Sequence, residues 1–144
     1  MPINNGFDNA LEDFKKEVIK AAKGKWNRRY DNNNHRIYTV AGAYVYYNMH
    51  MDHNRWYEDR RKYYEEYCQR MQDEYALHYP NKQIGDKVGN NQHLGNCAEQ
   101  HACNKVLRAD DRLGVSAVQF TKAYRVRTAQ IVPYCDICKT LFSL

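Results

Sequence analysis

Aliphatic side chains are scarce in this chain. Ile, Leu, Val and Phe together supply 26 of 144 residues, or 18%, just under the roughly 20% at which composition begins to point towards disorder. Against whole-chain disorder stand an aromatic content of 13% and a net charge of only +5, so a thin core filled out by the thirteen tyrosines and stapled by something besides packing is expected. Long apolar runs are missing too. None approaches the roughly 18 residues of a membrane span, which excludes a transmembrane helix and membrane partners of that kind. Met1-Pro2-Ile3-Asn4-Asn5 lacks the basic and apolar regions of a secretory signal, so no signal peptide is expected in this chain. Repeats and low-complexity tracts are absent as well. A length of 144 residues and 17.1 kDa fits one domain.

Charge of one sign is not concentrated anywhere. Lys and Arg number 22 against 17 Asp and Glu, with no basic tail, so an anion-binding surface has to be assembled by the fold. Two stretches are free of acids. Lys20, Lys23, Lys25, Arg28 and Arg29 surround Trp26 and Tyr30, and Lys122, Arg125 and Arg127 flank Tyr124. Cations interleaved with rings suit single-stranded DNA or RNA, with charges on phosphates and rings under bases; the competing reading is an ordinary solvated face. Arg125 and Arg127 are expected to alternate onto one strand face.

Residues 8–23 read as an amphipathic helix with Leu11, Phe14, Val18, Ile19 and Ala22 as its apolar stripe, closed by Gly24. Asp31 to Asn34 read as a polar turn. Residues 35–49 have the composition of a strand hairpin with Gly42 near its middle, with a helix as the alternative. From Trp56 to Tyr79, Trp56, Arg60, Tyr63, Tyr67, Met71 and Tyr75 recur at three- and four-residue steps, which predicts one long helix with an aromatic buried stripe, stopped by Pro80. Residues 85–95 read as a loop, 97–108 as a helix, 110–114 as a turn, 115–132 as one or two strands, and 135–141 as a terminal helix. The domain thus divides into an N-terminal helical and hairpin part, 1–80, and a cysteine-bearing part, 81–144.

Five cysteines, an odd count with no signal peptide, argue against a disulfide scaffold and for a reducing compartment. Cys135 and Cys138 have the two-residue gap of a metal or redox pair, and Cys97 stands 38 residues upstream in Asn96-Cys97-Ala98-Glu99. Three thiols, two on one turn at a helix start, make a natural zinc site with an open fourth position, and Glu99 stands two residues from the first ligand. Cys68 and Cys103 read as small buried residues. Three other assignments compete. Asn96 and Glu99 have the spacing of a capping box. His101, one turn from Cys97, would close a four-ligand structural site with the three cysteines, making a non-enzymatic zinc module that binds nucleic acid or protein. A redox role for Cys135 and Cys138 lacks the thioredoxin-like pattern before it.

Gly95-Asn96-Cys97-Ala98-Glu99-Gln100-His101-Ala102 together with Pro133-Tyr134-Cys135-Asp136-Ile137-Cys138 resembles the cytidine-deaminase-like superfamily, whose signature is H-x-E followed by P-C-x-x-C with an all-cysteine variant. The closest likeness is to its YwqJ-like bacterial toxin branch, which uses C-A-E; it covers about residues 93–142, and here Tyr134 intervenes between Pro133 and Cys135. The resemblance implies an α/β fold: a small mixed sheet carrying the two zinc-bearing helices on one face, with an N-terminal helical extension. Because six residues follow Cys138, the sheet is expected to be short or to be completed by strands from 36–49. It implies zinc held by Cys97, Cys135 and Cys138, Glu99 as proton shuttle, and hydrolysis of the C–N bond of a nucleobase, cytosine to uracil favoured over adenine. Lys122, Tyr124, Arg125 and Arg127 are the candidate substrate-binding residues for a single-stranded nucleic acid. By analogy with that branch, the expected setting is a toxin domain delivered into a reducing cytoplasm, with an immunity protein as partner.

Overall fold

The computed structural model describes residues 5–27, 30, 36–89 and 91–144. The expected turn at 31–34, together with Arg28, Arg29 and Asn90, lies outside them. Among the described residues the fold is α/β, with five α-helices and a four-stranded sheet. Helix α1 (Asn5–Lys23) forms as its stripe predicts: Val18 and Ala22 are fully buried, and Gly24 closes the last turn by donating to Lys20 O at 2.8 Å. The sheet consists of β1 (Thr39–Val45), β2 (Asn48–His53), β5 (Gln119–Arg125) and β6 (Ile131–Val132) in the order β2-β1-β5-β6. A second, two-stranded ribbon, β3 (Lys87–Val88) with β4 (Gln92–His93), organises the 85–95 loop.

The expected hairpin is present, but its turn falls at Tyr46-Tyr47, with Tyr46 at φ +49°, instead of near Gly42. Gly42 sits inside β1 because the Phe14 ring of α1 fills the space a Cβ would need, 2.7 Å away. The sheet is antiparallel in all three pairings, which corrects the expected mixed sheet. The cause is the path of helix α4 (Ala98–Ala109). Its start lies at the end of β2, where the Arg55 N–H donates to Asn96 O at 3.0 Å, and its far end lies at the start of β2, where Asn48 Nδ2 donates to Val106 O at 3.1 Å. The α4 crossover therefore joins two parallel strands, β2 and β5, but β1 is inserted between them and pairs antiparallel with both.

Helix α1 covers one face of the sheet, burying Val40 with Val18 and Ala22. Helix α4 covers the other. It approaches closely because both surfaces are small there: Ala41 and Ala123 meet Ala98, and Ala43 shares the larger core with Ala102. The expected long helix over 56–79 is two helices, α2 (Arg61–Glu66) and α3 (Gln69–His78), with Trp56 exposed outside them. The break at Tyr67-Cys68, where ψ reaches 125° and 164°, is stabilised from outside by α4. Asn104 Nδ2 donates to Glu66 O at 2.8 Å and its Oδ1 accepts from the Cys68 N–H at 2.9 Å, while Arg108 donates to Glu66 O at 2.7 Å. Backbone groups that a continuous helix would pair internally are thus paired by side chains.

The aromatic stripe is buried as expected, with Tyr63, Tyr67, Met71 and Tyr75 nearly inaccessible. Buried phenols need hydrogen-bond partners, and here all three reach the start of α4. Tyr63 donates to Asn96 Oδ1 at 2.5 Å, Tyr67 to Gly95 O at 2.7 Å and Tyr75 to Gln100 Oε1 at 2.5 Å. Helix α5 (Asp136–Phe142) completes the layer and places its own first turn beside that of α4.

Candidate metal centre and adjoining cavities

Two helix starts meet at the cysteines. Cys97 is the residue preceding α4, Cys135 the residue preceding α5, and Cys138 lies in the first turn of α5. The three sulfurs lie within 4.8 Å of one another, the Cys97–Cys135 pair at 2.9 Å. Unpaired N–H groups at helix starts favour negative charge, and the Cys138 N–H points to Cys135 Sγ at 3.4 Å. Gln100 links the phenol stripe to the cluster: its Oε1 accepts from Tyr75 and from the Gly95 N–H, which leaves Nε2 aimed at Cys138 Sγ, 3.3 Å away.

The electrostatics divide the trio. Hydrogen bonds from the Cys138 and Cys97 thiols, helped by the Cys138 and Ile137 amides, hold Cys135 down to about 3. Its partners move the other way, Cys97 through its bond to Cys135 and Cys138 through burial. One thiolate shared between two thiols is a compact negative site that resists carrying more charge without a cation. The donor set fits zinc: all three ligands are sulfur, and they are gathered closely enough to hold one ion. Among the described residues this is the one group of three or more such ligands gathered closely enough to hold a metal ion.

Glu99 is 4% exposed and lines a cavity of about 210 Å³ together with Cys97, Cys135, Thr39, Asn54 and Pro133. Burial, reinforced by the Cys135 thiolate, pushes its carboxyl up to about 7. The carboxylate lies outside the thiol cluster, facing the same space. Asn96 does not cap α4: the cap position is Cys97, without a side-chain cap bond, and Asn96 Oδ1 accepts from Tyr63 instead. The capping-box alternative is therefore not realised.

His101 faces away from the cysteines. Its Nδ1 stands 2.5 Å from Glu66 Oε2 and 3.3 Å from the Tyr67 hydroxyl, its ring stacks on Tyr67, and its Nε2 is buried without a hydrogen-bond partner. It is not part of the cluster, which removes the four-ligand arrangement that includes His101. Cys103 is buried in the main core and Cys68 half-buried against it.

The candidate binding residues separate. Arg125 and Arg127 line one cavity of about 310 Å³, but not as alternating strand residues: β5 ends at Arg125, and Arg127 sits in the following turn at φ +76°. Lys122 is exposed on β5 and lines neither this cavity nor the cysteine cavity, and Tyr124 packs against the α1 core. Sequence reasoning missed Arg36, Tyr38, Thr39 and Asn54, which come to the site from 43 to 61 residues before Cys97. No spacing rule connects the two segments; only the β1–β5 pairing does. Gln100 was passed over because a lone glutamine inside a helix carries no signal of its own.

No protein-family model matches the chain, and comparison with curated proteins and with solved structures finds no match. Among the described residues no helix is long and apolar enough to cross a membrane.

Proposed function

We propose that the cysteine trio holds zinc and that the chain hydrolytically deaminates a nucleobase, with cytosine to uracil as the favoured conversion. The observation that carries this reading is the position of Glu99: a buried carboxyl in the same cavity as Cys97 and Cys135, yet outside the thiol cluster. A structural zinc site needs no such group. When bound, zinc supplies the Lewis acidity that makes water a nucleophile near neutral pH. Cys97, Cys135 and Cys138 would hold it, leaving the cavity side open among the described residues.

Glu99 supplies proton transfer. A buried carboxyl that shares the cavity with the sulfurs without being one of the gathered ligands would take a proton from water and return it to the leaving ammonia. Tyr63, Tyr67 and Tyr75 keep α4 from shifting, so that the carboxyl holds its place relative to the sulfurs. The cavity walls from Ala123, Val132 and Pro133 are apolar and suit the face of a flat ring, while Asn54 and Thr39 also line it. By the resemblance in the sequence, the setting is a toxin domain acting in a reducing cytoplasm. The test is to incubate the zinc-loaded protein with single-stranded oligonucleotides and sequence them. Cytosine-to-uracil changes that disappear in Glu99→Gln support the reading, and unchanged strands from a folded, zinc-loaded protein contradict it.

A further inference from the structure

A second cavity adjoins the first. Arg36, Ile37, Tyr38, Arg125, Val126 and Arg127 line it, its volume is about 310 Å³, and Tyr38 belongs to both cavities. Three arginines and, among the described residues, no acidic residue line it, whereas in the cavity bounded by Asp52, Glu66, Arg55, Lys105 and Arg108 both acids are ion-paired. Arg36, Arg125 and Arg127 are all exposed, so their charge is open to a ligand from solvent.

The three arginines are held on a fixed frame. Asn54, which lines the cysteine cavity, accepts from the N–H groups of Tyr38 and Thr39 at 2.7 and 3.1 Å and donates to Arg36 O at 2.8 Å. Val126 donates to Tyr38 O at 2.9 Å, joining the chain before β1 to the chain after β5. Arg127 takes a left-handed backbone conformation that is uncommon for a residue with a Cβ; its N–H donates to Ala22 O at 2.9 Å and its Nε to Asn27 O at 3.2 Å. At the junction, Tyr38 is 47% exposed, with the Arg36 guanidinium 5.0 Å from its ring centroid. Planar guanidinium groups suit phosphate oxygens, and an exposed ring backed by arginine suits a stacked base.

We infer that Arg36, Arg125 and Arg127 form a phosphate subsite for a single-stranded nucleic acid, with Tyr38 as the stacking step between that subsite and the cysteine cavity. The inference rests on the deaminase reading for the base in the cysteine cavity, and it deepens that reading: the substrate is a strand, whose backbone beside the target nucleotide is held by the arginines, and not a free nucleoside.

The test uses fluorescence anisotropy of a labelled cytosine-containing nine-nucleotide strand, titrated with salt against the zinc-loaded protein and four variants. These are Arg36→Gln, Arg125→Gln, Arg127→Asn, which tolerates the positive φ, and Lys122→Gln. Each arginine variant should weaken binding and lower the slope of log affinity against log salt by about 0.7, the value for one single-strand phosphate contact, while Lys122→Gln should change it little. Thermal melts establish that each variant is folded. Affinity and slope unchanged in the folded arginine variants would overturn the subsite, as would a slope lowered equally by Lys122→Gln, which would mean diffuse surface charge. The two readings fail separately. Arginine-dependent strand binding without conversion of any cytosine leaves the subsite and removes the deaminase. Conversion of free cytidine as efficient as conversion of the strand, with arginine-independent binding, leaves the deaminase and removes the subsite.

Discussion

Glu99 and His101 lie half a turn apart on α4 and have opposite fates, and each makes a prediction. Glu99→Gln preserves shape and leaves the three sulfurs in place, so zinc content and melting temperature should hold while turnover falls by about 10²–10⁴ or more, the usual cost of losing general acid–base catalysis. His101→Ala should do the reverse. It should leave zinc content unchanged, but removes the partner of a half-buried carboxylate and should cost about 3 kcal/mol of stability in urea titration. A drop in zinc content would contradict the geometry. The same ion pair sets an acid limit. Burial alone would raise the Glu66 carboxyl, but the hydrogen bond and charge of His101, with Tyr57 and Arg55, hold it at about 2 against an ordinary 4.5. A carboxylate depressed in the folded state stabilises fully above its unfolded value and loses that contribution as pH falls through its folded one. Wild type should therefore exceed Glu66→Gln in stability by on the order of 3 kcal/mol above pH 5. The gap should narrow as pH falls from 4.5 towards 2, and a gap constant over that window would refute the assignment.

At the scale of elements, local pattern revealed the pieces and tertiary contacts decided their ends. The stripes of α1 and α4, the strand composition of 36–49 and the terminal turn at Cys135 were all legible, because amphipathic spacing and turn residues are local signals. So was the cysteine trio, since a thiol pair with a two-residue gap and a third thiol upstream is a common metal-ligand pattern. The continuous helix through Tyr67 was not realised, because the residue that breaks it, Asn104, is 36 positions downstream of Cys68. Likewise Gly42 reads as a turn until the Phe14 ring is seen to occupy its missing side chain. The arginine cavity was half legible: Arg125 and Arg127 stood out, whereas Arg36 joins them only through the sheet. Asn104→Ala should expose the α2–α3 junction, costing about 2 kcal/mol for two buried hydrogen bonds with no replacement. The backbone amide of Cys68 should lose its protection in hydrogen exchange. Unaltered protection would show that the break does not depend on α4.

For the whole molecule, the scarcity of aliphatic residues and the cysteine cluster that could hold a metal ion are one subject. The main core is built on Tyr63, Tyr67 and Tyr75, whose hydroxyls bond to the start of α4, and the cysteines then tie α4 to α5. Structural zinc binding contributes on the order of 10 kcal/mol in small folds, so a chelator should lower the melting temperature markedly, and Cys138→Ala should reproduce that loss in the absence of chelator. The proposed activity requires a centre of three thiolates with its fourth position facing the Glu99 cavity. Zinc-edge X-ray absorption on the purified protein tests this most directly. The account predicts one zinc per chain bound by three sulfurs near 2.3 Å and one lighter atom near 2.0 Å, without the scattering pattern of an imidazole. A fourth sulfur, an imidazole ligand, or well-folded protein without zinc would contradict it.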